Sequence, residues 1–238
     1  MIDAIGIVVP VHDEAERLER CLAALDEAIA SVDLSIACVA MIVLDACTDR
    51  SEAIVTSWSD GSVRSSLVVD VRNVGRARAA GFSSLLEMLS GFTRDRTWLA
   101  TTDGDTEVSR SWLVDQLALA EHGVEAIAGS VRVSDWEGHR DPAVIATRFA
   151  EVYAPAGSDD THTHVHGANL GFRADAYLAA GGFSPLCTAE DHELWNALDR
   201  AGRRRVSSRK IAVTTSARLG ARAPEGFSEF LRQLGARE

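Results

Sequence analysis

Residues 98–105 read WLATTDGD, a short apolar run that ends on two carboxylates separated by one glycine. Trp98 to Thr102 has the length and composition of a buried strand, and Asp103-Gly104-Asp105 stands where that strand stops. The glycine permits dihedrals closed to other residues, so both carboxylates can face one pocket. Hard oxygen donors of this kind suit Mg²⁺ or Mn²⁺ held jointly with a diphosphate. The same three residues also make an ordinary turn, because Asp-Gly is a common turn pair. The sequence on either side decides between the two.

Upstream, residues 4–11 (AIGIVVPV) form an apolar, β-branched run, as expected of a strand buried on both faces. From Glu14 the spacing of Leu18, Cys21, Leu22, Leu25, Ile29 and Val32 predicts a helix with acids in its first turn. A second apolar run, 36–44, stops in Asp45-Ala46-Cys47-Thr48-Asp49. A helix is expected from Ser51, a strand over 67–71, and an Ala-, Leu- and Arg-rich helix over 74–92. Downstream, Ser109 opens a helix carrying Trp112, Leu113 and Leu117. A strand over 126–133 and a helix over 142–153 follow, the latter inside a segment, 135–166, read as containing a mobile loop. A strand over 167–172, helices over 174–180 and 189–201, a strand over 212–216 and a last helix from Pro224 complete the pattern. Strands alternating with helices predict an α/β fold: a Rossmann-like, mixed, mainly parallel sheet flanked by helices. Ligands of such sheets bind beyond the carboxyl ends of the strands, where Asp45 and Asp103 both stand.

The 238 residues suit one domain, 1–238, with no repeat or linker. The formal charge of −11, from 35 acidic and 24 basic residues, argues against nucleic acid, whose binding depends on Lys and Arg neutralising phosphates. It does not exclude a phosphorylated small ligand, because a bound divalent ion reverses the local field. Arg203-Arg204-Arg205 reads as a solvated helix end. Cys21, Cys38, Cys47 and Cys187 show neither zinc nor disulfide spacing, so a reducing compartment fits. With no signal-peptide pattern at the first residues and no apolar run of about 20 residues to span a bilayer, a cytoplasmic protein without a transmembrane segment is expected.

Other acidic and basic clusters carry two readings each. Asp45 can accept hydrogen bonds from a base or ribose, while Asp49 or Ser51 caps the helix that follows. Asn73 is suited to cap the next helix, and Arg76 and Arg78 lie near the expected diphosphate. Glu190-Asp191 offers a carboxylate to remove a proton from an attacking hydroxyl, yet acids in a first helical turn are also favoured by the helix dipole.

Taken in order, these segments resemble glycosyltransferase family 2. IGIVVPVHDEAERLERCLAAL is similar to the family's opening strand, acidic turn and first helix. VLDACTDRS resembles its acidic nucleotide segment, NVGRARAAGF its Asn/Gly/Arg turn, and TDGDTEVSRSWL its DxD segment. HGANLGFRADAYLAAGGF followed by AEDHELWNAL resembles the acceptor-side strand, Gly-Gly-Phe turn and Glu-Asp pair. The resemblance covers roughly residues 4–220 and implies a single GT-A domain. Residues 1–122 would form the half that binds the nucleotide sugar, and 123–238 the half that binds the acceptor.

By the same resemblance, Pro10, Asp13 and Glu14 would line the nucleotide pocket and Asp45 would contact the base. Asp103 would approach the ribose or sugar, and Asn73 and Arg76 join the candidates for binding the nucleotide sugar. Asp105 would ligate Mn²⁺ or Mg²⁺, with His166 as a further metal or phosphate contact or else a structural histidine, and Arg218 would reach the phosphates. Asp191 would be the general base of an inverting displacement, with Glu190 orienting acceptor or sugar. The donor would be a nucleoside-diphosphate sugar, by default a UDP-sugar, and the acceptor a hydroxyl of a small molecule, lipid or glycan; a homodimer is compatible with this reading. Two departures stand out. Leu44-Asp45 replaces the usual paired aspartates, and the Gln-x-x-Arg-Trp motif of processive synthases is absent, which favours single transfers. Three rival readings are a retaining transferase, a sugar-phosphate nucleotidyltransferase, and a non-catalytic nucleotide-sugar binder. The nucleotidyltransferase is disfavoured because Pro10-Val11-His12-Asp13-Glu14 lacks a glycine-rich basic loop.

Overall fold

Ala4–Val11 (β1) is buried along its whole length except at Pro10, because it runs through the middle of the sheet. A computed structural model describes residues 1–60, 63–136, 139–153, 160–218 and 227–236. In it β1 pairs in parallel with Ala37–Asp45 (β2) on one side and Thr97–Thr101 (β4) on the other. Arg64–Val69 (β3) extends β2 in parallel. Beyond β4, Leu170–Arg173 (β7) runs antiparallel both to β4 and to Ala126–Ser134 (β6). Arg205–Ser216 (β8) is parallel to β6, and the two-residue Glu107–Val108 (β5) closes the edge antiparallel to β8. The order is β3-β2-β1-β4-β7-β6-β8-β5. Only β5 and β7 oppose the rest, so the carboxyl ends of β1, β2, β4, β6 and β8 lie along one rim.

Helices cover both faces. On one side Leu18–Ala30 (α1), Ser51–Trp58 (α2) and Trp112–Glu121 (α4) pack on Ile5, Ile7, Val9 and Trp98. On the other, Val74–Met88 (α3), Ala174–Ala179 (α6) and Glu190–Arg200 (α7) pack on Val8, Leu99 and Phe172. Each fully buried Leu, Ile or Phe on these faces contributes about 1.5–3 kcal/mol of transfer free energy. Gly81 lets α3 lie this close, since a Cβ there would come within 2.7 Å of Val43. A smaller cluster joins Pro142–Val152 (α5) to Phe227–Ala236 (α8) through Phe149, Leu231 and Leu234.

Several boundaries differ from the sequence pattern. β3 spans 64–69 rather than 67–71, because the amides of Val71, Arg72 and Asn73 leave the sheet to donate to the Asp45 carboxylate. The helix expected over 74–92 ends at Met88, after which Ser90 and Phe92 donate to Glu87 and Leu89 in three-residue turns. β8 begins seven residues earlier than expected, its polar first half paired with β6 across an irregularity at Gly129/Ser130. β5 is too short to leave a periodic signal. The final helix is described from Phe227; residues 224–226, like 137–138 and 154–159 of the expected loop, lie outside the described residues. Among the described residues no helix is long and apolar enough to cross a membrane.

Candidate functional site

The strand ends along the common rim border one cleft of about 800 Å³. Asp103, Gly104 and Asp105 leave β4 in a turn closed by Thr106 N–H donating to Asp103 O (3.1 Å). Asp103 turns to Arg78, whose Nη2 lies 2.5 Å from Oδ1. Asp105 turns to the opposite wall, where Thr215 Oγ1 of β8 is 3.5 Å and Arg218 Nη2 3.3 Å away. Desolvation inside the cleft raises the carboxyl pKa of both aspartates, although the Asp103 side chain keeps 38% exposure, and the nearby guanidiniums oppose that rise.

Arg78 projects from α3 and is only 2% exposed. One end of its fork meets Asp103 and the other meets Glu190 at the start of α7. The Phe183 ring lies 5.5 Å from its guanidinium carbon. Gly167 leaves room for it, because a Cβ there would sit 2.5 Å from Nη2. Burial also raises the Glu190 pKa, against the pull of Arg78. A buried guanidinium thus ties the β4 loop to the first turn of α7, and removing one partner of such a pair strands a charge in the interior.

Asp191 is the next residue, and its orientation is set by backbone. Oδ2 accepts from the Gly167 amide (2.7 Å) and Oδ1 from the His192 amide (2.7 Å). Both it and Glu190 line the cleft. Glu14 is buried on the opposite side, paired with Arg218 Nη1 at 2.6 Å. Pro10 also lines the cleft.

The remaining expected residues divide. Asp45 borders the cleft, but its carboxylate accepts from three amides (2.8–2.9 Å) and so shapes the turn after β3. Asn73 caps α3 by accepting from Arg76 N–H (2.8 Å), while its amide donates to Pro185 O and Cys187 Sγ. Arg76 corrects the sequence reading: it is exposed and outside the cleft, two residues and about 200° around α3 from the inward-facing Arg78. Asp13 is likewise absent from the cleft wall. It adopts φ +53° and accepts from the amides of Thr48 (2.6 Å) and Asp49 (3.1 Å), bonds that lower its pKa.

The far end of the cleft has different chemistry. Tyr153, His164, His166, Phe227 and Phe230 line it. Tyr153 stacks on His164 with centroids 4.1 Å apart, and its hydroxyl meets His166 Nε2 at 2.6 Å. Burial lowers the His166 pKa to about 4 and raises that of Tyr153, so both rings are neutral near pH 7. Apart from His166 these residues carry no local signal of a shared site: Tyr153 ends α5 and Phe227 and Phe230 belong to α8, and only the fold brings them to His164 and His166.

A divalent cation suits part of this donor set. Asp105 presents a carboxylate beside hydroxyls, the hard oxygen chemistry such ions prefer. Among the described residues no three His, Cys, Asp or Glu side chains converge into a closed cage, so the expected pair of Asp105 and His166 belongs to no three-ligand cluster. A cation here would take few protein ligands and need a diphosphate to complete its shell.

The sequence model of Glycosyl transferase family 2 matches residues 6–179. No curated protein sequence matches the chain. Among solved structures the fold is similar to the mannosyltransferase PcManGT from Pyrobaculum calidifontis in complex with GDP-Man and Mn²⁺ (18% identity, TM-score 0.63, covering 97% of this chain and 60% of that one). It is also similar to S. aureus TarS 1-349 (14% identity, TM-score 0.63, 98% and 69%) and to GalNAc-T7 with UDP, GalNAc and Mn²⁺ (11% identity, TM-score 0.63, 91% and 44%). At such identities the likeness establishes the GT-A fold, and the chain spans less than two thirds of the length of PcManGT.

Proposed function

The chain belongs to glycosyl transferase family 2, and from that premise we propose that it moves one sugar at a time from a nucleoside-diphosphate sugar, a UDP-sugar by preference, to an acceptor hydroxyl with inversion. The observation carrying this reading is the convergence in one cleft of groups from three distant segments: Asp103 and Asp105, Glu190 and Asp191, and Arg218. Residues 1–122 supply the donor side, and 123–238 the acceptor side together with Arg218. Cysteine usage favours a cytoplasmic setting, and all four cysteines are free.

In this reading the nucleotide lies over the ends of β1, β2 and β4. Pro10 and the turn held by Asp45 border the base and ribose, and Asn73 fixes the start of α3 beside them. Asp103, held by Arg78, faces the sugar. Asp105 is the protein ligand for Mn²⁺ or Mg²⁺, which when bound offsets negative charge on the diphosphate. Arg218 supplies a second cation from the protein itself.

The acceptor hydroxyl attacks the anomeric carbon from the side of α7. Asp191 takes its proton as the new carbon–oxygen bond forms, and the electron pair of the breaking bond leaves with the diphosphate. Its placement by two backbone amides fixes the direction from which it takes that proton. Glu190, pinned by Arg78, orients the acceptor or the sugar. The neutral aromatic end receives the body of the acceptor.

The test is calorimetric titration of UDP and GDP, with Mn²⁺ and then with EDTA, on wild type and Asp105→Ala. Metal-dependent binding of one nucleotide, lost in the variant, is the expected result. Folded protein that binds neither nucleotide would reject the donor assignment.

A further inference from the structure

The two arginines of the cleft are held differently. Arg78 is only 2% exposed, its fork is filled by two carboxylates, and Gly167 closes over it. Arg218 sits at the end of β8 with its side chain 20% exposed, and its two contacts are unequal. Nη1 lies 2.6 Å from Glu14 Oε2, the range of a charge-assisted hydrogen bond. Nη2 lies 3.3 Å from Asp105 Oδ2, too long for a strong one. Glu14 is itself anchored, 8% exposed at its side chain and held through its amide by Ser51 Oγ (2.9 Å).

We propose that Arg218 is a resident counter-cation of the Asp105 carboxylate, hinged on Glu14, and that it excludes a divalent ion until a diphosphate draws its free end away. The inference rests on the reading of Asp105 as the metal ligand. While Arg218 faces Asp105, its charge offsets part of the carboxylate's, and a metal entering alone must displace that end of the guanidinium with no diphosphate to receive it. A nucleoside diphosphate offers Arg218 another anion and offers the metal further oxygens. Release of the looser contact therefore costs little, while the contact to Glu14 keeps the guanidinium within the cleft. Metal and nucleotide then bind cooperatively, and the coupling is reciprocal by linkage. Glu14 acts here as a positioning residue, without touching the donor.

Electron paramagnetic resonance of free Mn²⁺ tests this in wild type, Arg218→Met and Arg218→Gln, each alone and with UDP or GDP. Arg218→Gln retains a hydrogen-bond donor toward Glu14 and serves if the methionine variant does not fold. The expected result is Mn²⁺ affinity without nucleotide at least about tenfold above wild type in the variants, with a matching loss of the nucleotide-induced gain. In Arg218→Gln/Asp105→Ala the added Mn²⁺ affinity disappears. If wild type and variants bind Mn²⁺ alone equally, and nucleotide still tightens it in wild type, Arg218 is no counter-cation and the Asp105 metal reading stands. If no sample binds Mn²⁺ with or without nucleotide, the metal reading fails and takes this inference with it.

Discussion

The two ends of the cleft are stabilised by opposite means. At the charged end, Glu14, Asp103, Asp105 and Glu190 are held by two guanidiniums through directional, charged contacts. At the aromatic end Tyr153, His164, His166, Phe227 and Phe230 pack as neutral rings, with a hydrogen bond between Tyr153 and His166. The charged end needs its residues at fixed positions, since a carboxylate without its partner is costly in the interior. The aromatic end needs only shape and neutrality, which several side chains can provide. Asp191 stands at the junction, oriented by amides of both segments.

The strongest way to sharpen that contrast is at the junction. Asp191→Asn preserves shape and removes the proposed base, so single-turnover transfer should fall about 10²- to 10⁴-fold while calorimetric nucleotide affinity stays near wild type. Near-normal turnover would reject Asp191 as the base.

The next largest effect concerns stability at the charged end. Arg78→Met strands Glu190 and Asp103, and urea unfolding should show a loss of about 3 kcal/mol, the low end for a broken buried pair because Asp103 keeps 38% exposure. Gly167→Ala pushes on the same guanidinium and should cost about 1–3 kcal/mol as overpacking. A change under half a kcal/mol in both variants would mean that the hub is not stabilising.

At the aromatic end Phe230→Ala should raise the acceptor KM about tenfold, the scale of one lost apolar contact, and leave UDP and GDP affinity unchanged. A fall in nucleotide affinity equal to the rise in KM would break the division between the two ends.

The smallest effect is a pH dependence. His166 is held neutral in the folded protein with a pKa of about 4, against 6.5 for an ordinary histidine. The unfolded chain therefore takes up its proton first as pH falls. The stability contributed by the neutral ring is complete above pH 6.5 and is lost as pH drops toward 4. Urea unfolding at pH 7.5, 6 and 5 should show a steeper decline for wild type than for His166→Phe; parallel declines would show that His166 is solvated.

The α/β order, β1, β2 and the Asp103-Gly104-Asp105 turn were legible in the chain because they depend on local rules: buried strands are apolar, amphipathic helices repeat every 3.6 residues, and carboxylates gather in turns. The first half of β8 was not, because its polar residues gain their pairing only when β6 lies beside them. Nor was the choice of Arg78 over Arg76, which depends on the rotation of α3 against the sheet. Asp45 shows both sides of this. Its place at a strand end was readable, but its carboxylate's three amide partners arrive 26 to 28 residues later in the chain. The pairing of Asp103 with Arg78, of Asp105 with Arg218, and of Tyr153 with His166 is a matter of tertiary structure alone. Electrostatic and hydrogen-bond energies depend on distance and burial, and neither exists until the sheet has brought its strand ends to one rim.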